Sequence, residues 1–214
     1  KKEVTEKYPI IKLNHLKRLT DDFGIIQFAD HFQPDKNSGY TVDDNARALV
    51  VAVRHYILYK QDFSMELIKT YLNFLEFSQE ESGKFVNHIP HQKNKLNKNY
   101  SEDSYGRAML ALAYTASEIN NEEVIKKSQK IFDNAYPWFE RLRSPRAKAF
   151  SIIALYYYTK KFPHKKNLAL IKKLSDGLVE AYSKESSEQW HWFEKYLTYS
   201  NSKLSEALFY SYLA

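Results

Sequence analysis

The sequence predicts an all-α protein assembled from helical hairpins, and three observations predict it. Apolar residues recur at helical spacing almost throughout the 214 residues. Only 5 Gly and 6 Pro are present, too few turn residues for a many-stranded sandwich or barrel. A short helix-opening pattern recurs four times. The spacing predicts helices over 8–21, 43–60, 64–80, 103–118, 121–142, 145–161, 166–184 and from 202 onward. Almost no strand is expected. Phe85-Val86-Asn87-His88-Ile89, behind the turn at Gly83, reads as a short extended piece.

The repeat organises the chain. Asp43-Asp44-Asn45-Ala46-Arg47-Ala48 matches Asp103-Ser104-Tyr105-Gly106-Arg107-Ala108. Ser144-Pro145-Arg146-Ala147-Lys148-Ala149 fits the same frame, and Ser202-Lys203-Leu204-Ser205-Glu206-Ala207 fits it loosely. Each first position is Asp or Ser, both preferred N-caps, so these residues are expected to cap their helices. Pro145 then falls at the first helical position, where its missing N–H does no harm. Small residues inside the first turns let neighbouring backbones approach closely. A bulkier Tyr- and Lys-rich helix follows each repeat. The units therefore read as hairpins of a small-residue inner helix and a bulkier outer one.

Stacked hairpins make an open solenoid or a closed (α/α) toroid. The repeated Ala48, Ala108, Ala149 and Ala207 stand 60, 41 and 58 residues apart, too irregular for a fixed-period array, so the expectation is a toroid with about four inner helices. In a toroid the inner N-termini gather at one mouth. The non-helical connections Asp30–Val42, Phe85–Glu102 and Lys184–Asn201 lead into those N-termini. Long loops in a compact domain are usually functional or disordered, and these carry His, Tyr and Trp, which is not the composition of disorder. Residues 1–214 read as a single domain. A six-hairpin toroid needs more chain, so the sequence reads as a piece of a longer protein.

Composition sets limits. Hydrophobic residues at 43% and charged residues at 27% are globular values. With no cysteine there are no disulfides, thiolate metal sites or cysteine nucleophiles. The apolar runs fall short of the roughly 18 residues a membrane span requires, and a cytoplasmic location is expected. The net charge of +6 comes from Lys scattered along helical patterns, so nucleic acid is not expected as a partner. The seven His form no H-E-x-x-H pattern, and Asp30-His31 and His88-x-x-His91 are the nearest approaches to a ligand set. No metal and no cofactor are expected. The runs Tyr156-Tyr157-Tyr158 and Phe209-Tyr210-x-Tyr212 read as core.

Four segments together resemble a known group. They are Gly39-Tyr40-Thr41-Val42-Asp43-Asp44-Asn45-Ala46-Arg47-Ala48, Ser101-Glu102-Asp103-Ser104-Tyr105-Gly106-Arg107-Ala108, Ser144-Pro145-Arg146-Ala147-Lys148-Ala149, and Trp192-Phe193-Glu194 through Leu197-Thr198-Tyr199-Ser200-Asn201 to Glu206-Ala207. The set is similar to bacterial six-hairpin, glycosidase-like (α/α) toroid proteins, which occur alone or joined to glycosyltransferase domains. The resemblance implies a toroid fold, an oligosaccharide or glycoconjugate partner, and a possible glycosyltransferase domain or subunit. It transfers no catalytic roles.

Candidate site residues follow from the inner-helix N-termini. Glycosidic cleavage usually needs two carboxyl groups, one protonated and one ionised. Asp44 and Glu102 are the acid/base candidates, because neither is expected to serve as its helix's N-cap. Glu206, in the slot that Arg47 and Arg107 occupy, is a third catalytic candidate, expected to meet an arginine or substrate. Arg47 follows Asp43 by four residues and Arg107 follows Asp103 by four, the spacing of an intrahelical ion pair. Asp43, Arg47, Asp103, Arg107, Arg146 and Glu194 are the expected polar contacts to substrate. Tyr40, Trp190, Trp192 and Tyr199 supply the planar faces that sugars need. The rival readings are a non-catalytic glycan-binding or accessory domain and a plain helical scaffold.

Overall fold

The computed structural model describes residues 11–95 and 98–214. Its elements run α1 (Asn14–Leu19), β1 (Ile26–Asp30), β2 (Gln33–Thr41), α2 (Val42–Tyr59), α3 (Asp62–Ser78), β3 (His88–Ile89), α4 (Glu102–Glu118), α5 (Glu122–Ala135), a 3-10 turn (Tyr136–Arg141), α6 (Pro145–Lys161), α7 (Lys165–Glu185) and α8 (Ser202–Leu213). Helix makes up 63% of the described residues, compatible with the all-α expectation. The start of the helix expected over 8–21 lies outside the described residues.

Burial patterns separate inner from outer helices. α5 buries Val124, Ser128, Ile131, Phe132 and Ala135, a single stripe at helical spacing. α6 is different: Arg146, Ala147, Ala149, Phe150, Ser151, Ile152, Ile153, Ala154 and Leu155 are all buried, so the helix is enclosed on most sides. Such a helix needs small residues to fit. α2 pairs with α3, α4 with α5, and α6 with α7. The inner helices α2, α4, α6 and α8 pack in that order, each on the next, with Ala48, Ala108, Ala149 and Ala207 all buried along the row. Among the described residues, α2 and α8 are not in substantial contact.

Gly106 marks a close approach within this row. A Cβ there would lie 3.0 Å from the Ala147 carbonyl oxygen and 3.1 Å from both Ala147 Cα and Phe150 Cβ. The repeat's small position thus brings α4 and α6 into backbone contact.

Three features depart from expectation. First, β1 and β2 form an antiparallel hairpin, and β3 adds to β2 through Tyr40 opposite Ile89 and Thr41 opposite His88. Gly39 is in the left-handed region (φ 67°), and a Cβ there would stand 2.6 Å from the Ile89 carbonyl, so the close strand crossing requires glycine. Second, the helix caps fall earlier than expected. Thr41 Oγ1 accepts from the Asp44 amide, and Ser101 Oγ accepts from the Ser104 amide. Asp43 and Asp103 are therefore first-turn acids and not N-caps. Ser144 does cap, accepting from the Ala147 amide, and Asn201 precedes α8 without a side-chain cap. Third, the tyrosine runs are only partly core. Tyr158 is buried and stacks on Phe132 at 4.1 Å, and Tyr157 and Tyr210 hydroxyls meet at 3.0 Å, whereas Phe209 and Tyr212 are 71% and 88% exposed.

Candidate functional site

The helix openings of α2, α4 and α6 carry most of the expected residues, and each opening uses its arginine differently. At α2, Arg47 Nη2 donates to Asp43 Oδ2 at 3.0 Å and to Asp44 Oδ1 at 2.5 Å. Thr41, the cap residue, also donates its hydroxyl to Asp44 Oδ2 at 2.6 Å. Burial pushes the Asp44 carboxyl above its ordinary value, and the Asp43 charge adds to this. The Thr41 hydroxyl and Arg47 pull in the other direction without cancelling it.

At α4, Arg107 Nε donates to Asp103 Oδ2 at 2.9 Å, the expected i,i+4 pair, and both side chains are mostly buried. Its Nη2 reaches Ser200 Oγ at 3.0 Å, and its guanidinium lies over the Phe150 ring at 4.4 Å. Arg146, at the start of α6, has no acid on its own helix and turns wholly to the 194–201 segment. It donates to Glu194 Oε1 (2.8 Å), to the Tyr199 carbonyl (2.5 Å), to Asn201 Oδ1 (3.0 Å) and to Thr198 Oγ1. The Tyr199 ring sits on the same guanidinium at 4.6 Å and remains 54% exposed. Burial, then the Asp103 charge, raises the Tyr199 hydroxyl above its ordinary value. Asp103 and Glu194 each spend one carboxylate oxygen on an arginine, while Asp103 Oδ1 and Glu194 Oε2 are buried without a hydrogen bond.

The structure brings Asp103, Arg107, Arg146, Glu194 and Tyr199 into one cluster through the 194–201 segment. Trp190 supports it, its indole N–H donating to the Glu194 carbonyl at 2.6 Å. Trp192 lies edge-on to Phe193 at 5.3 Å, with its indole nitrogen buried and unpartnered.

Several expected roles need correction. Glu102 Oε2 accepts from the Arg143 and Ser144 amides at 2.8 and 2.7 Å, so this carboxylate ties α4 to the start of α6. Freedom from N-capping its own helix does not leave it idle. Glu206 pairs with Lys203 one turn earlier at 2.6 Å, partly exposed, and not with an arginine. Tyr40 is fully buried and offers no face to a sugar. Its hydroxyl donates to Asp21 Oδ2 at 2.5 Å and meets His91 Nδ1 at 2.9 Å, and its ring packs on Phe23. Burial, then Asp21, raises the Tyr40 hydroxyl, while Asp21 itself is lowered. For Asp21, burial works upward but is outweighed by Tyr40, the amides of Phe23 and Gly24, and Lys93. His88 likewise faces the Ser38 carbonyl at 2.9 Å, so the His88-x-x-His91 spacing serves to fasten β2. Among the described residues no cluster of three His, Asp or Glu is placed to hold a metal.

A second feature escaped sequence reasoning. A cavity of about 190 Å³ opens beside the α4 N-terminus, lined by Lys84, Phe85, Tyr100, Glu102, Tyr105, Trp138, Arg141 and Leu142 with Ser101. Its residues come from three separate segments. The one local signal was Trp138-x-x-Arg141, spaced to stack in a helical turn. Comparison with family models and with curated proteins returns no match for this chain. Among the described residues no helix is long and apolar enough to cross a membrane.

Proposed function

We propose that the protein is carbohydrate-active, a glycoside hydrolase-like enzyme that takes an oligosaccharide at the helix openings of α2, α4 and α6. On this reading the row of hairpins is part of an (α/α) toroid and the openings belong to its mouth. The sugar class rests on the sequence resemblance. The chemistry rests on one observation: two adjacent carboxyls, Asp43 and Asp44, share Arg47, and Asp44 is the one whose proton affinity burial raises. A carboxyl held protonated nearer neutrality is what a general acid requires. Tyr199 supplies an exposed aromatic face for a sugar ring. Glu102 and Glu206 remain candidates for the second carboxylate only if substrate displaces their present partners.

The rival is a non-catalytic glycan-binding domain serving a glycosyltransferase. One observation favours it: Glu102, Arg107 and Arg146 are all engaged in holding the protein together. An oligosaccharide array followed by turnover assays separates the two. The enzyme reading expects Asp44→Asn to fold normally and lose roughly 30- to several-thousand-fold in turnover, about 2–5 kcal/mol of transition-state stabilisation. Binding without turnover in the parent protein moves the assignment to the rival.

A further inference from the structure

The cavity beside Glu102 has an unusual charge arrangement. Lys84 Nζ lies 4.3 Å from the centroid of the Trp138 ring and 4.8 Å from that of Tyr100, and the Arg141 guanidinium lies 4.6 Å from that of Trp138. Two cations therefore share one indole. Among the described residues neither has a carboxylate within ion-pair distance, although most acids nearby are matched: Glu80 pairs with Lys98, and Glu140 with Lys173. Like charges gathered at one wall repel each other, and an aromatic face offsets only part of that. Trp138 is itself fixed, its indole N–H donating to the Ser82 carbonyl at 2.7 Å, so the cations are held against a rigid wall.

The rest of the lining has a different character. Glu102 Oε2 is occupied by two backbone amides, but its other oxygen accepts no hydrogen bond from the described residues. Phe85 and Tyr105 are buried beneath, with Leu142 beside them, giving an apolar floor. The volume leaves room for one ring-sized group.

From this we infer that the cavity is a subsite for one acidic sugar unit. Its anionic group, carboxylate or phosphate, goes to Lys84 and Arg141; a ring hydroxyl donates to Glu102; the ring's apolar face covers Phe85 and Tyr105. Charge-assisted bonds of this kind, frequently bidentate from arginine, fix orientation as well as affinity. The sugar ring in this assignment rests on the carbohydrate reading above, while the demand for an anion rests on the two cations alone.

The test is titration of the intact protein with glucuronate, glucose 6-phosphate, glucose and inorganic phosphate, followed by calorimetry and tryptophan fluorescence. One or both acidic sugars should bind at least tenfold more tightly than glucose and than inorganic phosphate. Which of the two acids binds better names the anion. Lys84→Met and Arg141→Met should each cut that affinity about tenfold or more, and Trp138→Phe should remove the fluorescence response. Equal binding of glucose, equal binding of inorganic phosphate, no binding of either acid, or affinity indifferent to both substitutions would each overturn the subsite. Turnover of a neutral oligosaccharide by the parent protein in the same preparation would then leave the proposed function standing while the subsite falls.

Discussion

The openings of α2 and α6 share one sequence frame and reach opposite solutions. Arg47 finds two acids on its own helix, and its side chain stays 56% exposed. Arg146 finds none there, is 6% exposed, and spends its donors on a segment about fifty residues away. The frame fixes where an arginine emerges from the row of inner helices. What lies within reach decides whether that arginine trims local charge or anchors a distant loop. α4 stands between the two, with Arg107 serving Asp103 and Ser200 together.

Substitutions can break that contrast. Arg146→Met should have the largest effect. It strips Glu194, Thr198, Asn201 and the Tyr199 carbonyl of a common donor, and breaking a buried pair on one side costs about 3–5 kcal/mol. In a chain of this size that corresponds to a fall in the thermal midpoint on the order of 10 °C, measured by circular dichroism. Gly106→Ala comes next. Helix propensity favours it by nearly 1 kcal/mol, but the added methyl presses on Ala147 and Phe150, and overpacking of this kind costs about 1–3 kcal/mol. A net loss in urea unfolding is expected, and a gain would show that α4 and α6 do not meet there.

Arg47→Ala should have the smallest effect, at most about 1 kcal/mol, because an exposed pair contributes little. Its signature lies in pH dependence. Asp44 is raised above 3.8 in the folded protein, so the folded state holds this proton more tightly than the unfolded one. The associated stability is present at low pH and is lost as pH rises from below 3.8 through the raised value. Removing Arg47 takes away a cation that favours the ionised form. The decline should therefore grow steeper and extend to higher pH, as read from urea midpoints across the acid range.

The helices were legible because each carries its own period: α6 was expected over 145–161 and occupies those residues. The β1–β2 hairpin was not. Gln33-Pro34-Asp35-Lys36-Asn37-Ser38-Gly39 lacks the apolar alternation that marks a strand, and its pairing is held by Ser38, Gly39 and the distant His88. The caps were displaced because Thr41 and Ser101, two residues before the conspicuous Asp43 and Asp103, are the better geometric partners for the free amides. At the candidate site the intrahelical pairs Asp43–Arg47 and Asp103–Arg107 could be read from spacing alone. The fates of Glu102 and Arg146 could not, since their partners arrive from Arg143–Ser144 and from 194–201 only once the helices are packed. The Lys84–Trp138–Arg141 cavity is longer-range still.

The Arg146 anchorage also reaches past its own loop. α8 follows directly after the anchored segment and buries only Leu204 and Ala207 along its length. Little apolar contact holds it apart from its seam with α6 and a lighter one with α7. Opening free energy is low where few apolar contacts must be broken. A single guanidinium therefore joins the order of the 194–201 segment to the seating of α8.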